Sequence, residues 1–329
     1  MAQKPHIIGF IGAKGGSGVS SLVAGIGVIL SRLGHRTVVV DGSVWGQGLF
    51  AYLGNKSIPP EGMRTWNEQQ RVEPLEKFWA DTIIPGLFLL SGLQHSGHRA
   101  HKGFSSRPDA YGYFEKIDTK YVLVDLGNVV NETSLDFWLH CDDLVLVANP
   151  EPSAIANANA LLTRAYTRLA ATHAKRHHLD SLLSEAIDHI SRERYPQPVE
   201  WLRYVIERDP PRGKKLRAKM INARVSLVMN RCNGPDDMIT AEDLVFLWER
   251  HFGATFDFIG GIAEDSAFGA ASRKRMPVIL LLPNARGSED LERLVHNLIF
   301  KTRFEQTNRS KNISVDGSVP DDNPDAKDA

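Results

Sequence analysis

At 329 residues the chain is long enough to bury a large core, as one big domain or two small ones. Lys plus Arg and Asp plus Glu both number 39, so the formal net charge is zero, which excludes a globally basic nucleic-acid binder though not a basic patch. Two cysteines, Cys141 and Cys232, lie within or beside apolar runs, which argues against a disulfide scaffold and fits a reducing cytoplasm.

The N-terminus leads straight into a strand pattern, Ile7–Ile11, unlike a signal peptide, and the longest apolar stretches fall far short of a membrane span. Next comes Gly9-Phe-Ile-Gly-Ala-Lys-Gly-Gly-Ser-Gly-Val-Ser-Ser-Leu22, then a helical pattern from Leu22 to Leu33. Strand, glycine-rich turn and helix is the context of a phosphate-binding loop. Gly15, Gly16 and Gly18 allow positive φ and close backbone approach. Successive N–H groups of the stretch Lys14, Gly15, Gly16, Ser17, Gly18, Val19, Ser20 and Ser21 can then face an anion at the helix N-terminus. Ser20 is placed to bind Mg²⁺ through its hydroxyl. The loop departs from G-x-x-x-x-G-K-[ST]: Ala13 stands at the first glycine and Val19 at the lysine. The alternative is a glycine-rich turn with no ligand.

Arg36–Val40 reads as a second strand ending at Asp41, in the ligand crevice of an open α/β sheet, where a carboxylate can hold a metal-bound water. Leu87–Leu90 is a short strand. His95, His98 and His101 follow in a polar stretch that lacks acids and cysteines, so a loop is the stronger reading than a metal site. Tyr121-Val-Leu-Val-Asp125 is a hydrophobic strand ending in an acid, the pattern in which Asp holds Mg²⁺ through water. Leu144–Ala148 runs into Asn149-Pro-Glu-Pro152, where prolines end the strand and Ser153 can cap a helix. Val225–Met229 is a further buried strand ending in Asn230-Arg231, where an Asn can also serve simply as a strand-terminal turn residue. Alternating strands and helices predict an α/β fold, a mostly parallel sheet with helices on both faces.

Arg164–Arg224 reads as an inserted helical segment broken at Tyr195-Pro-Gln-Pro198 and Asp209-Pro-Pro211, with 14 Lys/Arg against 7 Asp/Glu. Such a face could touch DNA, an acidic partner or anionic lipid, or simply be solvated. His173 and His177, one turn apart without an acidic third ligand, read as surface residues. A last helix is expected over Ser288–Phe304. The polar remainder, 305–329, reads as a disordered tail after a single domain spanning 1–304.

The loop resembles the deviant Walker A loop of the ParA/MinD family, roughly x-K-G-G-x-G-K-[ST], and its Val19 departure resembles the CpaE/TadZ branch. Asp41, Asp125, Asn149-Pro-Glu-Pro152, Asn230 and the pattern from Phe256 to Met276-Pro-Val match in order. The resemblance implies a P-loop ATPase fold, ATP and Mg²⁺ as cofactors, and a nucleotide-dependent homodimer. Lys14 would be the signature lysine that reaches the partner's nucleotide, and so, with Asp41, a catalytic residue. Ser20, Asp41 and Asp125 would hold Mg²⁺, and Asn230 with Arg231 would border adenine. The family's D-x-D keeps its first acid at Asp41 but has Ser43 at the second, and Ser43 is a poor base. Binding with slow or absent hydrolysis is therefore expected. The basic membrane helix that ends MinD proteins has no counterpart in this tail.

Three functions follow as alternatives. One is a cytoplasmic spatial regulator that recruits a protein partner and positions a flagellum, pilus, chromosome or division machinery, at a pole, nucleoid or membrane. The second is a pseudo-ATPase scaffold. The third is a metabolic P-loop enzyme, which should show the lysine and substrate-facing acid that are compromised here. A nitrogenase-reductase-like role would need paired cysteines.

Overall fold

A computed structural model of the chain describes residues 4–42, 48–53, 75–91, 110–128, 132–191 and 197–315. Ser43, the histidines at 95, 98 and 101, the Tyr195-Pro196 break and the tail from 316 lie outside the described residues.

The centre is an eight-stranded sheet of β1 (His6–Gly12), β2 (Thr37–Asp41), β3 (Ala80–Asp81), β4 (Leu87–Ser91), β5 (Tyr121–Asp125), β6 (Asp143–Ala148), β7 (Val225–Cys232) and β8 (Phe256–Ala263). Their spatial order is β3-β4-β2-β5-β1-β6-β7-β8. Every pairing is parallel except β3 with β4, where the two-residue β3 closes one edge. The expected mostly parallel α/β fold is present. Strands β1, β2, β5 and β6 are almost wholly buried, which is why they read as continuous apolar runs rather than alternating ones.

Alternate residues of those strands feed two cores. Ile8, Phe10, Val39, Leu123 and Val145 face α1 (Val19–Arg32), α2 (Gly48–Leu53) and the C-terminal helices α10 (Ser266–Lys274), α11 (Val278–Leu281) and α12 (Arg286–Val315). Ile7, Ile11, Val38, Val122 and Leu146 face the other layer. That layer holds α3 (Ala110–Phe114), α4 (Glu132–His140), α5 (Pro152–Arg176), α6 (Asp180–Ser191), α7 (Pro198–Arg208), α8 (Pro210–Asn222) and α9 (Pro235–Phe252). Trp138 is fully buried and donates its indole N–H to the Gly9 carbonyl at 3.0 Å. A side chain at Gly9 would meet Cys141 and Trp138, so this strand can only pass here bare. Both cysteines are buried and free.

Two local expectations are revised. The helix after β6 begins at Pro152 with Glu151 at its cap and no side-chain cap, so Ser153 lies inside it. That helix runs unbroken to Arg176, and position 164 falls in its middle. Asp209 caps α8 by accepting the Arg212 N–H at 3.1 Å, which explains the Asp-Pro-Pro break. The last helix continues past Phe304 to Val315. No helix among the described residues is long and apolar enough to cross a membrane.

Candidate functional site

The glycine-rich loop sits where β1 hands over to α1, at the C-terminal edge of the sheet. It is pinned from both sides. The Gly12 N–H donates to the Gly127 carbonyl at 2.8 Å, and the Ala13 N–H to Val147 at 2.9 Å. Gly16 and Gly18 have φ of 81° and 91°, in the left-handed region that favours glycine. Gly18 is further constrained by Asn230, whose Nδ2 lies 2.3 Å from where a Cβ would stand. That amide donates to the Ser17 carbonyl at 2.8 Å, so the end of β7 clamps the loop. Asn230 Oδ1 also accepts the Arg231 N–H at 3.0 Å, with Arg231 in the left-handed region at φ 62°. One face of the Asn230 amide is therefore spent on the loop itself, which the adenine expectation did not foresee.

Val19 does not replace a lysine on the surface of the loop. It is 6% exposed and belongs to the core on the α1 face, beneath Gly12. Lys14 is paired with the carboxylate of Glu151, the Glu of the Pro-Glu-Pro turn. Strands β1 and β6 lie side by side with Gly12 opposite Val147, and this brings Lys14 and Glu151 together across 137 positions of sequence.

Asp41 and Asp125 are direct partners in the parallel register of β2 and β5, so their side chains leave the sheet on the same face. Both are buried. Ser20, in the first turn of α1, donates its hydroxyl to Asp125, and the Gly127 N–H donates to the other carboxylate oxygen at 2.8 Å. Burial, then the neighbouring Asp41 carboxylate, push the Asp125 pKa up to about 7, against the pull of Ser20 and Gly127. Two carboxylates forced together out of water, with a hydroxyl alongside, form a donor set suited to a hard divalent cation, whose charge would relieve their repulsion. Gly48 abuts this point: a Cβ there would sit 2.4 Å from Ser20 Oγ.

Beside the loop a cavity of about 330 Å³ opens between α1, β7 and the β8–α10 turn. Gly18, Ser21, Asn230 and Arg231 form one wall, and Glu264, Asp265, Ser266 and Phe268 form another. The structure thus brings together Gly18, Ser20, Ser21, Asp41, Asp125, Asn230 and Arg231, while Lys14 points to Glu151 and Val19 into the core. The Glu264–Phe268 wall falls in the segment after Ile262, which the family resemblance gives as a contributor of backbone contacts to the base, without individual residues; Tyr52 was not singled out from sequence, and Glu151 was read only as part of the Asn149–Pro152 segment. Only the two prolines that fix Glu151 at a strand exit hint at it.

Elsewhere, the excess charge of the 164–224 segment is partly consumed. Arg168 pairs with Asp136 and Glu132, Arg208 with Glu185, Arg212 with Asp209 and Arg224 with Asp257. The His173 and His177 rings meet at 4.3 Å between centres, tilted by 39°, and His173 Nε2 is sealed from solvent, so the pair is not a plain surface feature. Among the described residues no group of three potential ligands surrounds it.

No protein-family model matches the chain. It is 34% identical over 87 residues to an iron-sulfur cluster carrier protein of Aquifex aeolicus, 26% of this chain and 22% of that protein. It is 28% identical over 161 residues to the flagellum site-determining protein YlxH of Helicobacter pylori, 47% of this chain and 52% of that protein. The chain therefore spans about a fifth and about half of these two relatives. The septum site-determining protein MinD of Pyrococcus horikoshii, solved with Mg-ADP, superposes with a TM-score of 0.58 at 15% identity, covering 89% of this chain and 96% of that one. Other solved ParA and MinD ATPases share the architecture. The resemblance read from the motifs thus holds in three dimensions: the chain has the fold of the ParA/MinD ATPases.

Proposed function

We propose that the chain binds ATP with Mg²⁺ at the glycine loop, dimerises on it, and acts as a positioning ATPase with slow turnover. The observation that carries this reading is the in-register pair Asp41 and Asp125 under Ser20, at the mouth of a clamped loop that opens on a nucleoside-sized cavity. Loop N–H groups from Gly15 to Ser21 would take the phosphates. Ser20, Asp41 and Asp125 would hold Mg²⁺, which supplies charge neutralisation of the phosphates. Arg231 and Asn230 would border the base. With Val19 in the core, no lysine of this chain faces the β- and γ-phosphates from that position, and charge-assisted contacts there are each worth about 2 kcal/mol. Lys14 of a second copy would supply a cation after leaving Glu151. A positioning role is supported by the names of the relatives, a flagellum site-determining protein and a septum site-determining one; the object positioned and its protein partner belong to the same proposal. Equilibrium dialysis with ATP and Mg²⁺, combined with light scattering, should show binding and a doubling of mass. Finding neither would remove the proposal.

The second reading is a scaffold that binds nucleotide without turning it over. The burial of Val19 and the Lys14–Glu151 pair favour it. Hydrolysis at or below the buffer rate by a protein that binds ATP would select it. Non-specific DNA binding through 164–224 remains part of the proposal, tested by a gel shift at low salt; the internal pairing of Arg168, Arg208, Arg212 and Arg224 lowers the expected affinity.

A further inference from the structure

Helix α9 packs its inner face through Ala241, Trp248 and Phe252, all buried. Its outer face is unusual for a surface helix. Ile239, Phe246 and Leu247 are 55%, 56% and 57% exposed, three of the eight large apolar side chains that stand out from the described surface. Ile239 and Phe246 lie seven residues apart, hence on one line of the helix about 10 Å long. Leu247 lines a cleft of about 690 Å³, walled also by Leu244 and Trp248 of α9, Val199 of α7 and Ala156 of α5. Leu247 connects this ridge to a cleft of mixed character, where the apolar walls alternate with Asn159, Gln197 and Arg250, so the exposed apolar side chains of α9 are clustered rather than scattered.

Charge indicates what could lie on it. Asp236, Glu242 and Asp243 are exposed on the same helix and have no cationic partner among the described residues. Asp236 complements the helix N-terminus, but Glu242 and Asp243 lie beyond the first turn, where the dipole no longer accounts for them. The only cation on the outer face of α9 is Arg250, folded over the Phe246 ring at 5.6 Å. On the far wall of the cleft Glu200 and Arg203 offset each other in sign.

We propose that the outer face of α9 and its cleft dock a basic amphipathic helix of a protein partner, with apolar side chains on Ile239, Phe246 and Leu247 and lysines or arginines against Glu242 and Asp243. This is the helix-in-groove mode, read by anchors at i, i+3, i+4 and i+7. It is independent of the nucleotide reading, because none of these residues lines the loop or its cavity.

The test uses the full chain without nucleotide and a fluorescein-labelled synthetic 16-residue peptide of Leu and Lys, with Leu at positions a, d and e of each heptad. Anisotropy should give a micromolar Kd. A scrambled peptide, and one with Glu in place of Lys, should each bind at least tenfold more weakly. Phe246→Asp should cost at least tenfold, and Glu242→Lys with Asp243→Lys a similar factor that shrinks in 0.5 M salt. Both sets are surface changes, and an unaltered melting temperature verifies folding. Equal affinity for the scrambled peptide, or undiminished binding by both variants, overturns the proposal. So does a nucleotide-free dimer that Phe246→Asp dissociates, since the face would then belong to a second copy.

Discussion

Replacing Asp125 by Asn should stabilise the nucleotide-free protein while destroying its metal site. The buried carboxylate sits beside Asp41, and its pKa of about 7 lies roughly three units above the 3.8 of an unperturbed side chain. A folded-state pKa above the unfolded value means that the folded protein holds the proton more tightly. The stabilising contribution is full below the unfolded pKa and is lost as pH rises through about 7. At 1.36 kcal/mol per unit, the charged form costs the fold at most about 4 kcal/mol at pH 8 and less than half of that at pH 5. Asparagine keeps an acceptor for Ser20 or Gly127 and carries no charge, so a gain of about 2–4 kcal/mol at pH 8 is expected. For 329 residues that corresponds to roughly 3–6 °C in Tm. Calorimetry in EDTA at pH 5, 6, 7 and 8 measures it, and titration of Mg²⁺ with ATP should show at least a tenfold loss of affinity. A variant no more stable than the parent at pH 8, or a gain as large at pH 5, would refute the repulsion argument.

Gly18→Ala should cost about 2–4 kcal/mol, because it adds left-handed strain and drives a methyl into the Asn230 amide, whereas Gly16→Ala, with open space around it, should cost about 1 kcal/mol of strain alone. Equal losses in urea melts would discount the clamp. Lys14→Ala should leave ATP binding to the monomer within a few-fold and abolish nucleotide-linked dimerisation in light scattering; an unchanged dimer counts against a trans role. Val19→Lys with Ser43→Asp should lose about 1–2 kcal/mol of stability, since a core methyl pair is exchanged for an ammonium that must leave the core, and gain at least tenfold in ATP turnover. Unchanged turnover in a phosphate-release assay would show that other parts of the site are degraded.

The strands and the loop were legible because both obey local rules. A strand covered on two faces must be apolar through its middle, and Val122–Val124 and Val38–Val40 are, with an acid only at the exit of each. A loop that turns its N–H groups inward needs glycine where φ is positive, and Gly16 and Gly18 supply it. What escaped the sequence depends on neighbours brought in by the sheet. Glu151 reaches Lys14 only because β6 lies beside β1. The left-handed Arg231 and the double use of Asn230 follow from how β7 meets the loop. Strand β3 is too short for any period to register. The charge shift near 164 marks no break in the chain, because α5 has no breaker between Pro152 and Arg176, and a change in charge does not end a helix.

The two departures from the P-loop pattern differ in physical weight. A missing cation at Val19 need not empty the site, because a valine there is not inert: it fills the core below Gly12 and so fixes the loop's floor. The clamp from Asn230 holds its roof. A loop shaped from both sides before any ligand arrives loses little entropy on binding, and this offsets part of the lost charge. The acids tell the same story from the opposite direction. Asp125 is held partly neutral by burial and by Asp41, which is costly for a fold with no use for the pair. A scaffold that had stopped binding metal would be stabilised by losing either carboxylate, and this chain has both, side by side, beneath Ser20.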